Sequence, residues 1–185
     1  MVTLADFNAA APDRAASVLR PCLDVDRWIA EVVAGRPYAD TDALTATAAA
    51  AADPLSAAEV ESALAHHPRI GERAAGESAE AGLSRGEQAG LDTGGDVPRR
   101  LREGNAAYER RFGRVFLIRA AGRSSEEILA ELDRRLGNDD ETEAAETAEQ
   151  LRQIALVRLQ GAVGGGPDDG PPAPDQRTDQ RTDPR

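Results

Sequence analysis

Apolar side chains recur at every third or fourth position along most of this chain, which is the spacing of one buried face of an α-helix. In one such stretch Ala15, Val18, Leu19 and Cys22 share a face, and Pro12 stands where a helix would begin. No convincing run of alternating apolar and polar residues predicts a strand. The pattern therefore predicts an all-α fold, a single-domain multi-helix bundle that spans residues 1–163.

Local signals predict the ends of some helices. Thr3 is a candidate N-cap for the first helix. Ser124 or Ser125 is a candidate N-cap for a later helix that carries acids in its first turn and arginines in its last, with Gly137 just past its end. These are positions where a side chain or a glycine satisfies the unpaired backbone groups of a helix terminus.

Other segments are less regular. Residues 73–82 are small and polar and are predicted as a loop, after which Ser84 would begin a short helix. The apolar residues 115–118 are interpreted either as a short strand or as a buried connector, because no partner strand is evident. The final helix is predicted from about residue 141 to about residue 159.

From residue 164 onward the composition shifts to Gly, Pro and Asp, with two copies of the sequence DQRT. This segment contains no large apolar residue, so it cannot bury enough surface to offset the entropy of ordering it. Residues 164–185 are therefore predicted to form a disordered tail.

Charge and composition exclude several classes of function. Asp and Glu number 33 against 22 basic residues, and the resulting net charge of -11 disfavours both nucleic acid and anionic membranes as partners. All the basic residues are arginines, which rules out a lysine Schiff base and a Walker-type phosphate loop. The single cysteine, Cys22, excludes an internal disulfide and fits a reducing cytoplasm. The first twenty residues lack the apolar core of a signal peptide, and no window approaches a membrane span.

The two histidines, His66 and His67, directly precede Pro68. A residue before proline is disfavoured in helical conformation, so His67 is predicted to lie where a helix ends and to project into a cleft. The simpler interpretation is that a histidine in the last turn complements the helix dipole. Two adjacent histidines and the distant Cys22 offer too few ligands for zinc unless carboxylates complete the set, and no metal site is predicted.

Ser84 and Glu87 have the S-x-x-E spacing of a capping box, in which each side chain satisfies a backbone donor of the other residue. Gln88 lies one turn from Ser84 on the same face, so the three polar groups also fit the lining of a pocket. Both interpretations stay open. Asn105 and Tyr108, on another helix, are interpreted as packing residues at the edge of the core.

Arg158 is the most informative charge in the chain. It shares one apolar face with Leu151, Ile154 and Ala155, at the i, i+3, i+4, i+7 spacing. A guanidinium on such a face either extends off the helix end to solvent, pairs with a structural carboxylate, or binds a carboxylate or ureide group of a substrate.

Several separated motifs together resemble one enzyme family. They are HHPRIG at residues 66–71, SRGEQ at 84–88, NAAYERRFG at 105–113, EEILAELDRRLGND at 126–139 and ALVRL at 155–159. In this order they resemble the 2-oxo-4-hydroxy-4-carboxy-5-ureidoimidazoline (OHCU) decarboxylases of uric-acid breakdown. The resemblance implies an all-helical, cofactor-free homodimer. It also implies a carboxy-lyase that converts OHCU to (S)-allantoin and carbon dioxide in the last step of urate-to-allantoin degradation.

The resemblance also implies roles for individual residues. His67 and Glu87 would be the catalytic residues. The substrate-binding residues would be Pro68, Ser84, Gln88, Ile118, Arg119, Ala120, Ala121, Gly122 and Arg158.

Two other functions fit the same residues. One is a non-catalytic, acidic helical interaction domain with the tail as a tether, and the other is a ureide hydrolase that uses His67 and Glu87. The decarboxylation itself is compatible with a chain that has no lysine, because the ring C=N of OHCU can accept the electron pair. Activity on freshly generated OHCU distinguishes the three.

The tail is predicted to be dispensable, because it has no side chain that could anchor it to a core. Truncation after Val163 should leave the melting temperature and the turnover number nearly unchanged. A loss of several degrees, or of most of the activity, would show instead that the tail docks onto the helical domain.

Overall fold

The computed structural model describes residues 1–65, 67–72, 79–88 and 94–164, and it confirms the predicted all-α fold in these ranges. The helices are α1 Leu4–Ala9, α2 Pro12–Leu19, α3 Asp26–Ala34, α4 Thr41–Ala51, α5 Ala57–Leu64, α6 Ala79–Glu87, α7 Val97–Phe112, α8 Ser125–Arg135 and α9 Asp140–Ala162. Two short strands, β1 Val2–Thr3 and β2 Val163–Gly164, pair in parallel and join the chain's start to the end of α9. Two-residue strands are too short to produce an alternating pattern, so the sequence did not predict them.

No helix in the described part of the chain is both long enough and apolar enough to cross a lipid bilayer.

The predicted helix caps are present. The Thr3 hydroxyl accepts a hydrogen bond from the Asp6 amide at the start of α1. Ser124, rather than Ser125, caps α8 and forms a capping box with Glu127. At the end of α7, Gly113 adopts the left-handed conformation with φ of 68°, which glycine adopts without the steric cost that a Cβ brings.

Three predicted boundaries are wrong. Helix α6 already begins at Ala79, so residues 79–82 are helical rather than loop and Ser84 lies inside the helix instead of capping it. Helix α5 ends at Leu64, three residues before His67, and α9 continues three residues beyond its predicted end. Residues 73–78, His66 and the tail from residue 165 lie outside the described residues, so the predictions for them and for the domain boundary at residue 163 stay predictions. Gly164, which the sequence placed in the tail, lies in β2 and pairs with Thr3 of β1.

The buried apolar residues form two clusters. The larger one joins α1 to α5 with α9 and contains the fully buried Trp28, whose indole N–H donates to the Ala48 carbonyl at 2.9 Å. The smaller one joins α7 and α8. Residues 115–120, the connector between α7 and α8, run between the two, with Leu117 in the larger cluster and Phe116 in the smaller. The run is therefore a buried connector and not a strand.

An ion pair with no solvent contact lies between α7, α8 and α9. Arg135 and Glu143 are both fully buried, and the Arg135 guanidinium binds the Glu143 carboxylate through Nε and Nη2. The hydroxyl of Tyr108 donates to the same carboxylate, and the hydroxyl of Thr147 accepts from Arg135 Nη2 at 3.1 Å. The remaining guanidinium nitrogen, Nη1, donates to the Leu117 carbonyl in the connector at 2.7 Å. We refer to Arg135, Glu143, Tyr108 and Thr147 as the buried network.

The buried network sets the charge states of its members. Burial raises the pKa of Tyr108 to about 12, and its hydrogen bond to the Glu143 carboxylate acts in the same direction, so the phenol stays a donor. Burial alone would raise the pKa of Glu143, but the hydrogen bonds from Arg135 and Tyr108 outweigh it and the pKa is lowered. The carboxylate is therefore ionised at neutral pH. Its contribution to stability is lost as the pH falls from the ordinary glutamate range towards the lowered pKa of the folded state.

Glu143→Met should reduce the free energy of unfolding by about 3–5 kcal/mol, because it leaves the buried Arg135 charge with only the Glu146 carboxylate, 3.5 Å from its Nε, as an acidic neighbour. The double variant Arg135→Met, Glu143→Met should lose less than the sum of the two single variants. Urea unfolding at pH 7 measures each value. Arg134→Ala is the matched control: Arg134 is the neighbouring residue but its side chain is 49% exposed, and its pairs with Glu131 and Glu146 should contribute at most about 1 kcal/mol. Equal effects of Arg134→Ala and Glu143→Met would contradict this account.

Candidate active site

One pocket collects most of the residues that the sequence analysis assigned to a site. It lies where the segment after α5, helix α6, the connector and helix α9 meet. Its lining is His67, Pro68, Ile70, Ser84, Glu87, Gln88, Phe116, Leu117, Ile118, Ala120 and Ile154. The predicted residues Arg119, Ala121 and Gly122 are not part of this lining as formed by the described residues, and Arg158 reaches the site through Glu87 and Ser84.

His67 is held in one orientation by the end of α5. Its backbone amide donates to the Leu64 carbonyl at 3.0 Å, and its ring Nδ1 lies 2.9 Å from the Ala63 carbonyl oxygen. A carbonyl oxygen can only accept, so Nδ1 carries a proton, and in the neutral imidazole Nε2 then holds the lone pair. Nε2 is buried. The ring therefore presents a basic nitrogen in a site lined by polar side chains.

Arg158 binds Glu87 side-on. Its Nε lies 2.6 Å from one carboxylate oxygen of Glu87 and its Nη2 lies 3.0 Å from the other. Nη2 also donates to the Ser84 hydroxyl at 3.0 Å, and Nη1 donates to the Pro21 carbonyl at 3.2 Å. Arg158 is 3% exposed and Ser84 is 2% exposed. Of the three interpretations left open by the sequence, the structure shows the pairing with a carboxylate of the protein. The Nε and Nη2 groups, which could bind a substrate carboxylate side-on, bind Glu87 here.

This arrangement also decides the role of the S-x-x-E spacing. Because Ser84 is the sixth residue of α6, its hydroxyl does not cap the helix, and the capping-box interpretation is wrong. The same spacing places Ser84 and Glu87 on one face of α6, where both bind Arg158. The alternative interpretation, in which Ser84, Glu87 and Gln88 line a pocket, is confirmed.

Both charges of this ion pair act electrostatically on the nearby Cys22 thiol. Burial raises the pKa of the Cys22 thiol to about 12, with a smaller lowering effect from Arg158 and a raising effect from Glu87. The thiol is therefore protonated at neutral pH and is a poor nucleophile.

Gln88 is oriented by the turn that follows Pro68. Its side-chain oxygen accepts a hydrogen bond from the Gly71 amide at 2.9 Å, and Gly71 has a φ of 81°, which favours glycine. Asn105 on α7 donates to the Ile70 carbonyl at 2.9 Å. Asn105 and Tyr108 are fully buried rather than at the core edge, so the packing role predicted for them is incomplete. Asn105 supports the turn that orients Gln88.

The connector supplies the apolar wall of the pocket. Ile118 and Ala120 line it, whereas the backbone amide of Arg119 donates to the side-chain oxygen of Gln150 on α9 at 3.0 Å. The Arg119 side chain folds back onto the Ala121 carbonyl at 3.0 Å. Within the described residues no hydrogen bond reaches the backbone N–H or C=O of Ile118, although Ile118 is buried.

The described residues contain no group of three or more His, Cys, Asp or Glu side chains arranged to hold a metal ion. The polar groups of the pocket are one imidazole, one carboxylate that is paired with a guanidinium, one hydroxyl and one amide. This set can exchange a proton at His67 and hydrogen-bond a polar heterocyclic ligand at Glu87, Ser84 and Gln88.

Comparison with known proteins identifies the family. The family model of OHCU decarboxylase matches residues 8–160. The OHCU decarboxylase of Amia calva is 38% identical over 138 residues, which are 72% of this chain and 78% of that protein. The OHCU decarboxylase of Haloferax volcanii is 26% identical over 163 residues, covering 85% of this chain and 94% of that protein.

Solved structures share the fold. A crystal structure of OHCU decarboxylase in the presence of (S)-allantoin superposes with a TM-score of 0.62 at 21% identity, covering 82% of this chain and 97% of that one. A crystal structure of (S)-allantoin synthase superposes with a TM-score of 0.65 at 20% identity, covering 88% of this chain and 54% of that one. The family model and the Amia calva protein each match most of this chain, so the chain belongs to the OHCU decarboxylase family.

Proposed function

We propose that this protein is a carboxy-lyase that decarboxylates OHCU to (S)-allantoin and carbon dioxide. The observation that carries the proposal is the pocket itself, in which the basic Nε2 of His67 and the paired Glu87 and Arg158 lie at one site in a chain of this family. We further propose that it acts as a homodimer without a cofactor, as the family resemblance implies, and in the cytoplasm, which fits its single cysteine. Sedimentation of the purified protein tests the dimer.

The proposed reaction balances without an electron sink from the protein. The bond between C4 and the carboxylate breaks, and its electron pair forms a double bond from C4 to the neighbouring ring carbon. The π pair of the ring C=N at that carbon moves to the nitrogen, which takes up a proton. The C4 hydroxyl then loses its proton as a carbonyl forms, and the neighbouring carbon that bears the ureido group gains one. The net change is loss of carbon dioxide and uptake of one proton from solvent.

His67 is proposed to carry the proton that the substrate loses and regains. Its Nε2 holds the lone pair that can accept the hydroxyl proton, and the fixed ring orientation allows it to return the proton to one face of the new carbon. Protonation on a single face yields a single enantiomer. Pro68 follows His67 in the pocket wall and restricts the backbone that carries it.

Glu87, Ser84, Gln88 and Arg158 are proposed to bind the substrate as a unit. Each carboxylate oxygen has two lone pairs, so Glu87 can accept ureido N–H groups while it remains bound to Arg158. The positive charge of Arg158 offsets the negative charge of Glu87, which would otherwise repel the carboxylate of the substrate. Arg158 thus acts on the substrate largely through Glu87 and Ser84.

The connector is proposed to complete the site with its main chain. A buried backbone group is normally hydrogen-bonded, so the N–H and C=O of Ile118 suit polar atoms of a ligand. We expect the ring of the substrate to lie between this backbone and His67. Of the five predicted residues 118–122, only Ile118 and Ala120 line the described pocket. The other three would then affect substrate binding only by setting the path of the backbone.

His67→Asn should keep the fold and lose nearly all acceleration, because asparagine fills similar space without a titratable nitrogen. The measurement is the circular dichroism of allantoin formed from freshly generated OHCU, since uncatalysed decay gives racemic product. Wild type should give an optical signal in the presence of EDTA, and the variant should give none above background. Inhibition by EDTA that zinc reverses would indicate a metal site, and full optical activity in His67→Asn would leave Glu87 as the next candidate. Loss of ureide with no release of carbon dioxide would favour the hydrolase.

Arg158→Lys should reduce kcat/KM by an order of magnitude or more, because an ammonium keeps the charge but cannot bind both oxygens of Glu87 together with Ser84 and Pro21. Steady-state kinetics and the circular dichroism of the protein measure activity and fold. The matched control is Arg152→Lys, on the same helix, where the arginine pairs with Glu149 three residues away. Wild-type kinetics in both variants would assign Arg158 to a structural ion pair.

A further inference from the structure

The connector, which forms one wall of the pocket, is held in place by side chains of α8 and α9. Two of its backbone groups are bound by side chains of other helices: the Leu117 carbonyl accepts from Arg135 on α8 at 2.7 Å, and the Arg119 amide donates to Gln150 on α9 at 3.0 Å. These two bonds are to the residues on either side of Ile118, which lines the pocket. The position of Ile118 relative to His67 therefore depends on both bonds.

Of the two, the bond to Gln150 is separable from the stability of the fold. Arg135 belongs to the buried network, so replacing it also removes the partner of Glu143. Gln150 is half-buried, and the one hydrogen bond of its side chain seen in the described part of the chain is the bond to the Arg119 amide. Its replacement therefore tests the connector without removing a buried charge.

Gln150 also connects the connector to the rest of the site. It lies on the same helix as Arg158, eight residues and about two turns earlier, so α9 carries both the side chain that holds Glu87 and the side chain that holds the connector. A single rigid helix thereby fixes the distance between the polar wall of the pocket and its backbone wall.

We propose that Gln150 is a positioning residue for the reaction, which acts by fixing the connector backbone at Ile118 to Ala120 and has no contact of its own with the substrate. This inference rests on the proposed decarboxylation. Substrate binding at the connector backbone should weaken when Gln150 is lost, whereas proton transfer at His67 should continue.

Three variants test the proposal. Gln150→Met keeps the length and helix propensity of the side chain but removes the acceptor. Gln150→Glu keeps an oxygen that can accept from the Arg119 amide. Gln153→Met is the matched control, because Gln153 lies on the same helix and is half-buried, but its amide donates to Glu149 of its own helix at 2.7 Å.

Gln150→Met should raise KM for OHCU about tenfold, which corresponds to about 1.4 kcal/mol and lies at the upper end of the contribution of one hydrogen bond, while kcat stays within about twofold. Gln150→Glu should restore KM to within about threefold of wild type, and Gln153→Met should leave both constants unchanged. A purely structural role predicts a different result: a lower melting temperature and fewer active molecules, hence a lower kcat at unchanged KM. That result, or equal effects of Gln150→Met and Gln153→Met, would overturn the proposal.

Hydrogen exchange gives a readout that does not depend on the reaction. Peptides that contain residues 116–121 should exchange faster in Gln150→Met than in wild type or Gln153→Met, while peptides from the rest of α9 should not change. Unchanged exchange in 116–121 would overturn the proposal, whatever the kinetics. If wild type fails to decarboxylate OHCU, the proposed function is wrong. Faster exchange in Gln150→Met would then show only that Gln150 holds the connector in place.

Discussion

The buried ion pair between Arg135 and Glu143 is the interaction on which the rest of this structure depends. Taking two charges out of water costs several kcal/mol per ion, and only a nearly complete set of partners offsets that cost. Tyr108, Thr147 and the Leu117 carbonyl supply those partners from α7, α9 and the connector. Because each partner must be in place for the charges to be satisfied, the pair specifies one mutual arrangement of α7, α8 and α9 more than it adds net stability.

The connector links the buried network to the pocket. Arg135 binds the Leu117 carbonyl, and its guanidinium lies 4.8 Å from the centroid of the Phe116 ring, so two consecutive connector residues are fixed by the buried network. Phe116 also meets Tyr108 edge to face at 5.1 Å. The pocket wall that the connector forms is thus an extension of the core, which suits a site that must hold a small, polar substrate in one orientation.

The second buried arginine, Arg158, lies beside the pocket. Arg158 lies on the opposite half of α9 from Glu143, and it pairs with a carboxylate that also lines the pocket. The two ion pairs differ in exposure of the acid: Glu143 is fully buried, whereas the Glu87 side chain is 20% exposed. This difference fits a structural role for the first pair and a ligand-binding role for the second.

The sequence by itself determined the features that depend on neighbours three or four residues apart. The caps at Thr3 and Ser124, the end of α7 at Gly113 and the apolar faces of the helices follow from local backbone hydrogen bonding and helical periodicity, and they were predictable. The resemblance of separated motifs also indicated the family and most of the residues that line the pocket. The S-x-x-E spacing shows the limit of local inference, because it is compatible with a cap and with a shared helix face.

Only the tertiary structure decided which side chains meet across helices. Sequence reasoning took Arg135 as a last-turn arginine that complements a helix dipole, and nothing local indicates that its partners are Glu143, Tyr108 and a connector carbonyl. Likewise the sequence left three interpretations of Arg158 open, and its pairing with Glu87, 71 residues away, depends on how α6 packs on α9. Gln150 carries no sequence signal at all, since an amide on a half-buried helix face is ordinary until a backbone N–H is placed against it. Periodicity fixes which face of each helix is buried, and packing fixes what that face touches.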